Sequence, residues 1–244
     1  MKIRLDRWLT SLGEGSRSQV KKWITDGAVA VDGRTAADPA EHFETETSGL
    51  VIAGRPVDGR LERHLMMNKP AGVLTAARDK KQRTVMDLVD GVYRSVGCMP
   101  AGRLDMDTTG LLLLTTDGEL NHRLLSPGRH VAKRYRAEVT GRLTEDAVRL
   151  FASRMELGDF TAKPAKLSIL SASDGGSLAE VVITEGKYHQ VKRMFSAAGH
   201  EVTRLERLSF GPLELDPALA EGQWRELTEE ELKALREAAG MGEA

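Results

Sequence analysis

The chain has 244 residues, 41% of them apolar, one cysteine and a formal net charge of −1 from 35 basic and 36 acidic side chains. This length buries enough core to need no staples, while a lone Cys98 excludes an intramolecular disulfide and a cysteine-built zinc site. No run approaches the ~18 apolar residues of a membrane span and the N-terminus lacks a signal-peptide core, so a cytoplasmic protein away from the membrane is expected.

Along the chain, Leu5, Trp8, Leu9 and Leu12 keep helical spacing, and Ser16 is placed to cap a second helix from Arg17 to Thr25. Its apolar positions Val20, Trp23 and Ile24 leave Arg17, Lys21 and Lys22 on other faces, open to solvent or to a phosphate backbone. AVAVDG then reads as a short strand entering an Asp32-Gly33 turn. GRPVDGRLER, residues 54–63, is rich in Gly, Pro and charge and reads as a linker. Beyond it come a strand in HLMMNK closed by Pro-Ala-Gly, and a short helix in TVMDLV.

AGRLDMDTTGLLLLTTDGEL, residues 101–120, sets Arg103 and Asp105 directly before a run of four leucines that reads as a buried strand, closed by Asp117-Gly118 as a hairpin. A carboxylate at the mouth of a rigid strand suits a nucleophile or general base; the same residue types also make ordinary turns. Asp107, a second carboxylate two residues on, is expected to face away from Asp105 and is assigned to the turn.

Tyr135, preceded by Lys133 and Arg134, opens a strand to Val139 and could stack on an unpaired base or simply pack. Further strands at 166–171 and 179–184 and helices at 145–154, 189–198 and 228–239 give α+β with a mostly antiparallel sheet. Lys192 and Arg193 fall near the start of the helix 189–198, where the macrodipole disfavours cations, so a carboxylate or a bound phosphate should hold them. His189, in its first turn, could be an acid or base but reads more simply as structural. No dinucleotide fingerprint, Walker loop, HExxH or GxSxG occurs, and neither a cofactor nor a metal is indicated.

The stretch RLDRWLTSLGEGSRSQVKKWITDGAVAVDGR resembles an S4 domain, a small RNA-binding module, which implies Arg4, Arg17, Lys21 and Lys22 as RNA contacts. Behind it, MNKPAG, GRLDMDTTGLLLLTTDG, KRY and EGKYHQVKRM, in that order, resemble the pseudouridine synthases of the RsuA and RluB/E/F group. EGKYHQVKRMF, SPGRH and the segment PLELDPALAEGQWRELTEEEL look closest to members acting on the small ribosomal subunit.

The resemblance implies an S4 domain with linker over 1–59 and a catalytic domain over 60–244, whose mixed, mostly antiparallel sheet is flanked by helices. It implies an isomerase that flips a uridine of ribosomal RNA, most simply 16S, and converts it to pseudouridine; 23S rRNA, or a non-catalytic assembly factor, are the alternatives. Asp105 is then the essential aspartate, attacking C1′ or assisting loss of the C2′ proton. Tyr135 is implied to stack on the flipped base, Lys192 to pair with Asp105, and Arg103 to help flip the nucleotide and fill its place. Lys133 and Arg193 are further RNA contacts, and Asn68, Lys69 and Pro70 support the site. Ribosomal RNA or a small-subunit assembly intermediate is the expected partner, and a monomer is expected.

Overall fold

In a computed structural model that describes residues 2–46 and 48–242, the chain divides into two compact units. The smaller holds the residues up to Arg63 together with Val89–Met99; the larger holds His64–Leu88 and the chain from Pro100.

In the small unit the helix Arg17–Thr25 starts where Ser16 and Gln19 form a reciprocal capping box. Val20 and Ile24, one turn apart, bury against Leu5, Trp8 and Leu9 of the helix Leu5–Ser11. The strand Val29–Val31 turns back through Asp32 and Gly33, at φ 53° and 76°, the left-handed pair a two-residue hairpin asks for. Its sheet continues through Leu50–Ile52 to Arg55–Val57.

Residues 54–63, expected as a linker, are therefore structured. Pro56 sits on the edge strand of that sheet, where a missing N–H is harmless. Gly59 O accepts the Trp8 indole N–H at 2.6 Å, and a Cβ on Gly59 would lie 2.3 Å from the Trp8 ring.

The main path of the large unit's sheet runs through seven strands: β1 (His64–Lys69), β2 (Thr109–Thr115), β3 (Lys133–Val139), β4 (Lys166–Ser173), β5 (Gly176–Ile183), β6 (Val202–Phe210) and β7 (Trp224–Glu226). They pair in the order β4-β5-β3-β6-β2-β1-β7, and every pair is antiparallel except β6 with β2. The fold is thus α+β with a mixed, mostly antiparallel sheet. The leucine run of β2 is buried throughout, because β2 is paired on both edges and covered on both faces.

Asp117-Gly118 does not close a hairpin. Asp117 caps the helix Gly118–Leu125 by accepting Leu120 N at 2.9 Å, and Leu120 and Leu124 bury on one side. The chain leaves β2 through a helix, which frees that edge for the parallel strand β6.

Gly110 makes the β2–β6 contact possible. It sits at φ 100°, and a Cβ there would lie 2.3 Å from Arg207 O. Gly110→Ala is expected to separate the two strands and cost ~2 kcal/mol or more, a fall of at least 4–8 °C in melting temperature. A thermal melt of the variant against the parent checks this.

Candidate active site

The loop entering β2 is fixed from below. Lys69, at the end of β1, is fully buried and its ammonium donates to three carbonyls, Pro70 O (3.0 Å), Met106 O (3.2 Å) and Thr108 O (2.9 Å). All three of its protons are used. Burial brings Lys69 down to about 8, against the opposing pull of Asp107 and Asp105. Thr75 Oγ1 donates to Leu104 O at 2.8 Å and accepts from Leu104 N at 3.2 Å. Thr108 N donates to Asp105 O at 3.1 Å, and Gly72 N to Met106 O at 2.8 Å. Residues 104–108 are therefore a braced turn, and Asp105 projects from it half-buried.

Two groups from the start of the helix Gln190–Ala197 face that carboxylate. His189 Nε2 lies 3.4 Å from one Asp105 oxygen and Lys192 Nζ 3.8 Å from the other. Lys192 also binds both oxygens of Asp107, at 2.6 and 2.7 Å. That hydrogen bond holds Asp107 below the usual carboxylate range. The cation at an unfavourable helix start thus has two anionic partners, the closer being Asp107.

Asp107 was expected to be a turn residue facing away. Residues i and i+2 share a face in an extended chain, and the turn at 105–108 keeps both carboxylates toward Lys192, so Asp107 joins the cluster. His189 was expected to be structural; it stands instead at φ 50° ahead of the helix, half-exposed and against Asp105. Turn chemistry in D-x-D-x-T was the one signal that could have indicated the first. For the second, the hint is the acid or base capacity of an imidazole inside EGKYHQVKRM.

Tyr135 is buried on β3, directly across from Arg207 of β6, which in turn lies across from Gly110 of β2. The sheet so places Tyr135 two strands, roughly 10 Å of backbone, from the strand that the Asp105 loop enters. Arg207 is buried as well, with its Nε donating to Leu111 O at 2.7 Å; an arginine inside β6 hid this strand from periodicity.

Lys133 shares the inward face of β3 with Tyr135. It is buried, donates to Val131 O at 3.0 Å and lies 5.3 Å from the Phe210 ring centroid, so its ammonium is engaged inside the domain rather than displayed on its surface; burial brings it down to about 8. Arg193 is likewise turned away: it bonds Leu157 O and Asp159 and covers the Phe160 ring at 4.6 Å. Helical rotation separates it from its neighbour Lys192. Arg103 is exposed and carries no hydrogen bond or ion pair among the described residues.

In the small unit, Arg17 and Lys21 line a cleft of about 550 Å³ with Asp6, Arg7, Thr10 and Ser11. Arg7 was not anticipated. Arg4 forks onto Asp6 at 3.1 and 2.8 Å, and Lys22 pairs with Asp26 at 2.7 Å. Both pairs are at the surface, where such contacts exchange readily for a phosphate.

The family described as RNA pseudouridylate synthase matches residues 63–197, and the S4 domain matches residues 3–47. An RNA pseudouridine synthase of Bacillus subtilis, YtzG, is 47% identical over 96% of this chain and 99% of its own length. Ribosomal small subunit pseudouridine synthase A of Escherichia coli is 35% identical over 96% of this chain and its full length. A crystal structure of a pseudouridylate synthase superposes with a TM-score of 0.66 at 34% identity, covering 96% of this chain and 99% of that one.

Proposed function

Because the chain belongs to the RNA pseudouridylate synthase family, we propose that it isomerises a uridine of small-subunit ribosomal RNA, with Asp105 as the essential carboxylate. The observation that carries the assignment of Asp105 is its position: half-buried on a braced turn, with His189 at 3.4 Å and Lys192 at 3.8 Å.

The reaction exchanges one bond for another. The N1–C1′ bond breaks, the uracil turns, a C5–C1′ bond forms, the C5 proton departs and N1 gains a proton. No oxidant or reductant enters that balance. A carboxylate close to C1′ serves either way of starting it, by attack on C1′ or by taking the C2′ proton. Lys192 supplies the counter-charge that lets two carboxylates share one site, and Lys69 holds the turn so that Asp105 meets the sugar in one geometry.

The target base has to leave its stack to reach Asp105, which costs a few kcal/mol. Arg103, exposed and uncommitted, is the planar cation placed to occupy the vacated position. Tyr135 stacks on the uracil once it is inside. The cleft of Arg7, Arg17 and Lys21 grips the phosphate backbone without reading sequence. The substrate is ribosomal RNA or a small-subunit assembly intermediate, and the protein acts on it as a cytoplasmic monomer.

Pseudouridine mapping of 16S and 23S rRNA from cells with and without the gene tests this reading. One 16S pseudouridine is expected to vanish with the gene; loss confined to 23S rRNA moves the target, and no loss in either refutes the assignment. The double charge reversal Arg17→Glu, Lys21→Glu is expected to raise KM about tenfold or more at 0.15 M salt, with a much smaller change in kcat. It should also flatten the salt dependence of binding by about two phosphate contacts, as a titration of Kd against salt will read.

A further inference from the structure

Tyr188 is 73% exposed, more than any other large apolar side chain exposed among the described residues, whereas Tyr93 and Tyr135 are buried. Its ring lies flat on the His189 imidazole, centroids 3.8 Å apart at an interplanar angle of 18°, and that imidazole touches Asp105. An aromatic ring left in water forgoes the burial that usually places it, so its position needs a reason.

The turn carrying the two rings is held from behind. Lys187 N donates to the buried Gln190 side chain at 3.0 Å, Gln190 N to Lys187 O at 3.2 Å, and Gln190 Nε2 to Glu185 at 2.7 Å. His189 is kept at φ 50°, a conformation few non-glycine residues adopt without support. One face of Tyr188 is covered by imidazole and its other face is open.

We propose that the open face of Tyr188 is a docking platform for an unpaired RNA base flanking the reacting uridine. This inference rests on the isomerase reading of the same site and extends it to a second nucleotide. Flipping the target strips its neighbour of a stacking partner, and a preformed two-ring stack beside Asp105 replaces that partner at little entropic cost. Every base offers a π-face, so the platform accepts a base without choosing among the four. It recognises a nucleobase, not a sugar or a phosphate.

The test compares the parent protein, Tyr188→Ala and Tyr188→Phe on an in vitro transcript of small-subunit rRNA. Equilibrium Kd is measured on the transcript, and KM and kcat by tritium release from the same transcript carrying [5-³H]uridine. Tyr188→Ala is expected to raise both Kd and KM about 5- to 150-fold, the span of one base stack, with kcat within threefold. Tyr188→Phe, which keeps the ring, should stay within twofold of the parent throughout.

Unchanged Kd and KM in Tyr188→Ala overturn the platform, as does a loss confined to kcat, which would make Tyr188 only a support for His189. A parent protein that binds the transcript but releases no tritium refutes the isomerase reading, and the Kd comparison still decides the platform. No binding by the parent overturns both.

Discussion

Asp105→Asn is expected to lower kcat by on the order of 10³-fold or more while leaving the melting temperature near that of the parent. Asparagine matches aspartate in size, and the Asp105 side chain points out of the braced turn toward His189 and Lys192, so the substitution takes no part of the core with it. What it removes is the only chemistry both routes share: an oxygen able to attack C1′ or accept a proton.

Asp107→Asn is the informative contrast. It frees Lys192 from its shortest contacts, at 2.6 and 2.7 Å, yet leaves the carboxylate of Asp105 and its 3.8 Å approach to Lys192 in place. Activity should fall by no more than about tenfold. Tritium release at saturating RNA measures both variants, and equal losses in the two would mean that the pair acts as one unit.

Lys69→Met is expected to produce the second largest loss, about 10²-fold in kcat. Methionine fills the same volume but leaves the carbonyls of Pro70, Met106 and Thr108 without the donor they share, and a misplacement near 1 Å in the catalytic carboxylate costs about that factor. Because Lys69 sits at about 8 rather than 10.5, the same dependence appears in the parent as a pH effect. Above pH 8 the amine keeps two protons for three carbonyls, and kcat should decline with a midpoint near 8.

Stability runs the other way across that window. Between pH 8 and 10.5 the unfolded chain holds a proton on Lys69 that the folded chain has released, so the lysine's contribution to stability rises with pH. Lys133, also near 8 by burial, adds with the same sign. A turnover profile that declines above pH 8 while this contribution to stability increases separates loss of positioning from unfolding.

The site was legible in the sequence where residue type and spacing carry chemistry, and illegible where a turn or a buried charge decides. Asp105 and Lys192, 87 positions apart, could be paired because the family motifs named both, and their atoms lie 3.8 Å apart. Asp107 stands beside Asp105 because residues i and i+2 share a face, the opposite of what the turn assignment expects. Lys133 and Arg193 are expected as RNA contacts, whereas β3 faces one inward and Leu157 O, Asp159 and the Phe160 ring hold the other.

Of the sheet, the apolar strand β2 announced itself. Strand β6 did not, since it buries Arg207 and Ser209 among its inward positions and so breaks the expected pattern. Asp117-Gly118 showed that a turn signal marks a change of direction without specifying the next element; Leu120 and Leu124, one turn apart, make that element a helix.

The most direct test of the central claim incubates the purified full chain with small-subunit rRNA labelled as [5-³H]uridine and counts tritium released to water. Release that plateaus at one equivalent per rRNA is expected from the parent protein, and none above background from Asp105→Asn. Release by Asp105→Asn at the parent's rate, or none from the parent on either naked 16S rRNA or a small-subunit assembly intermediate, would contradict the assignment.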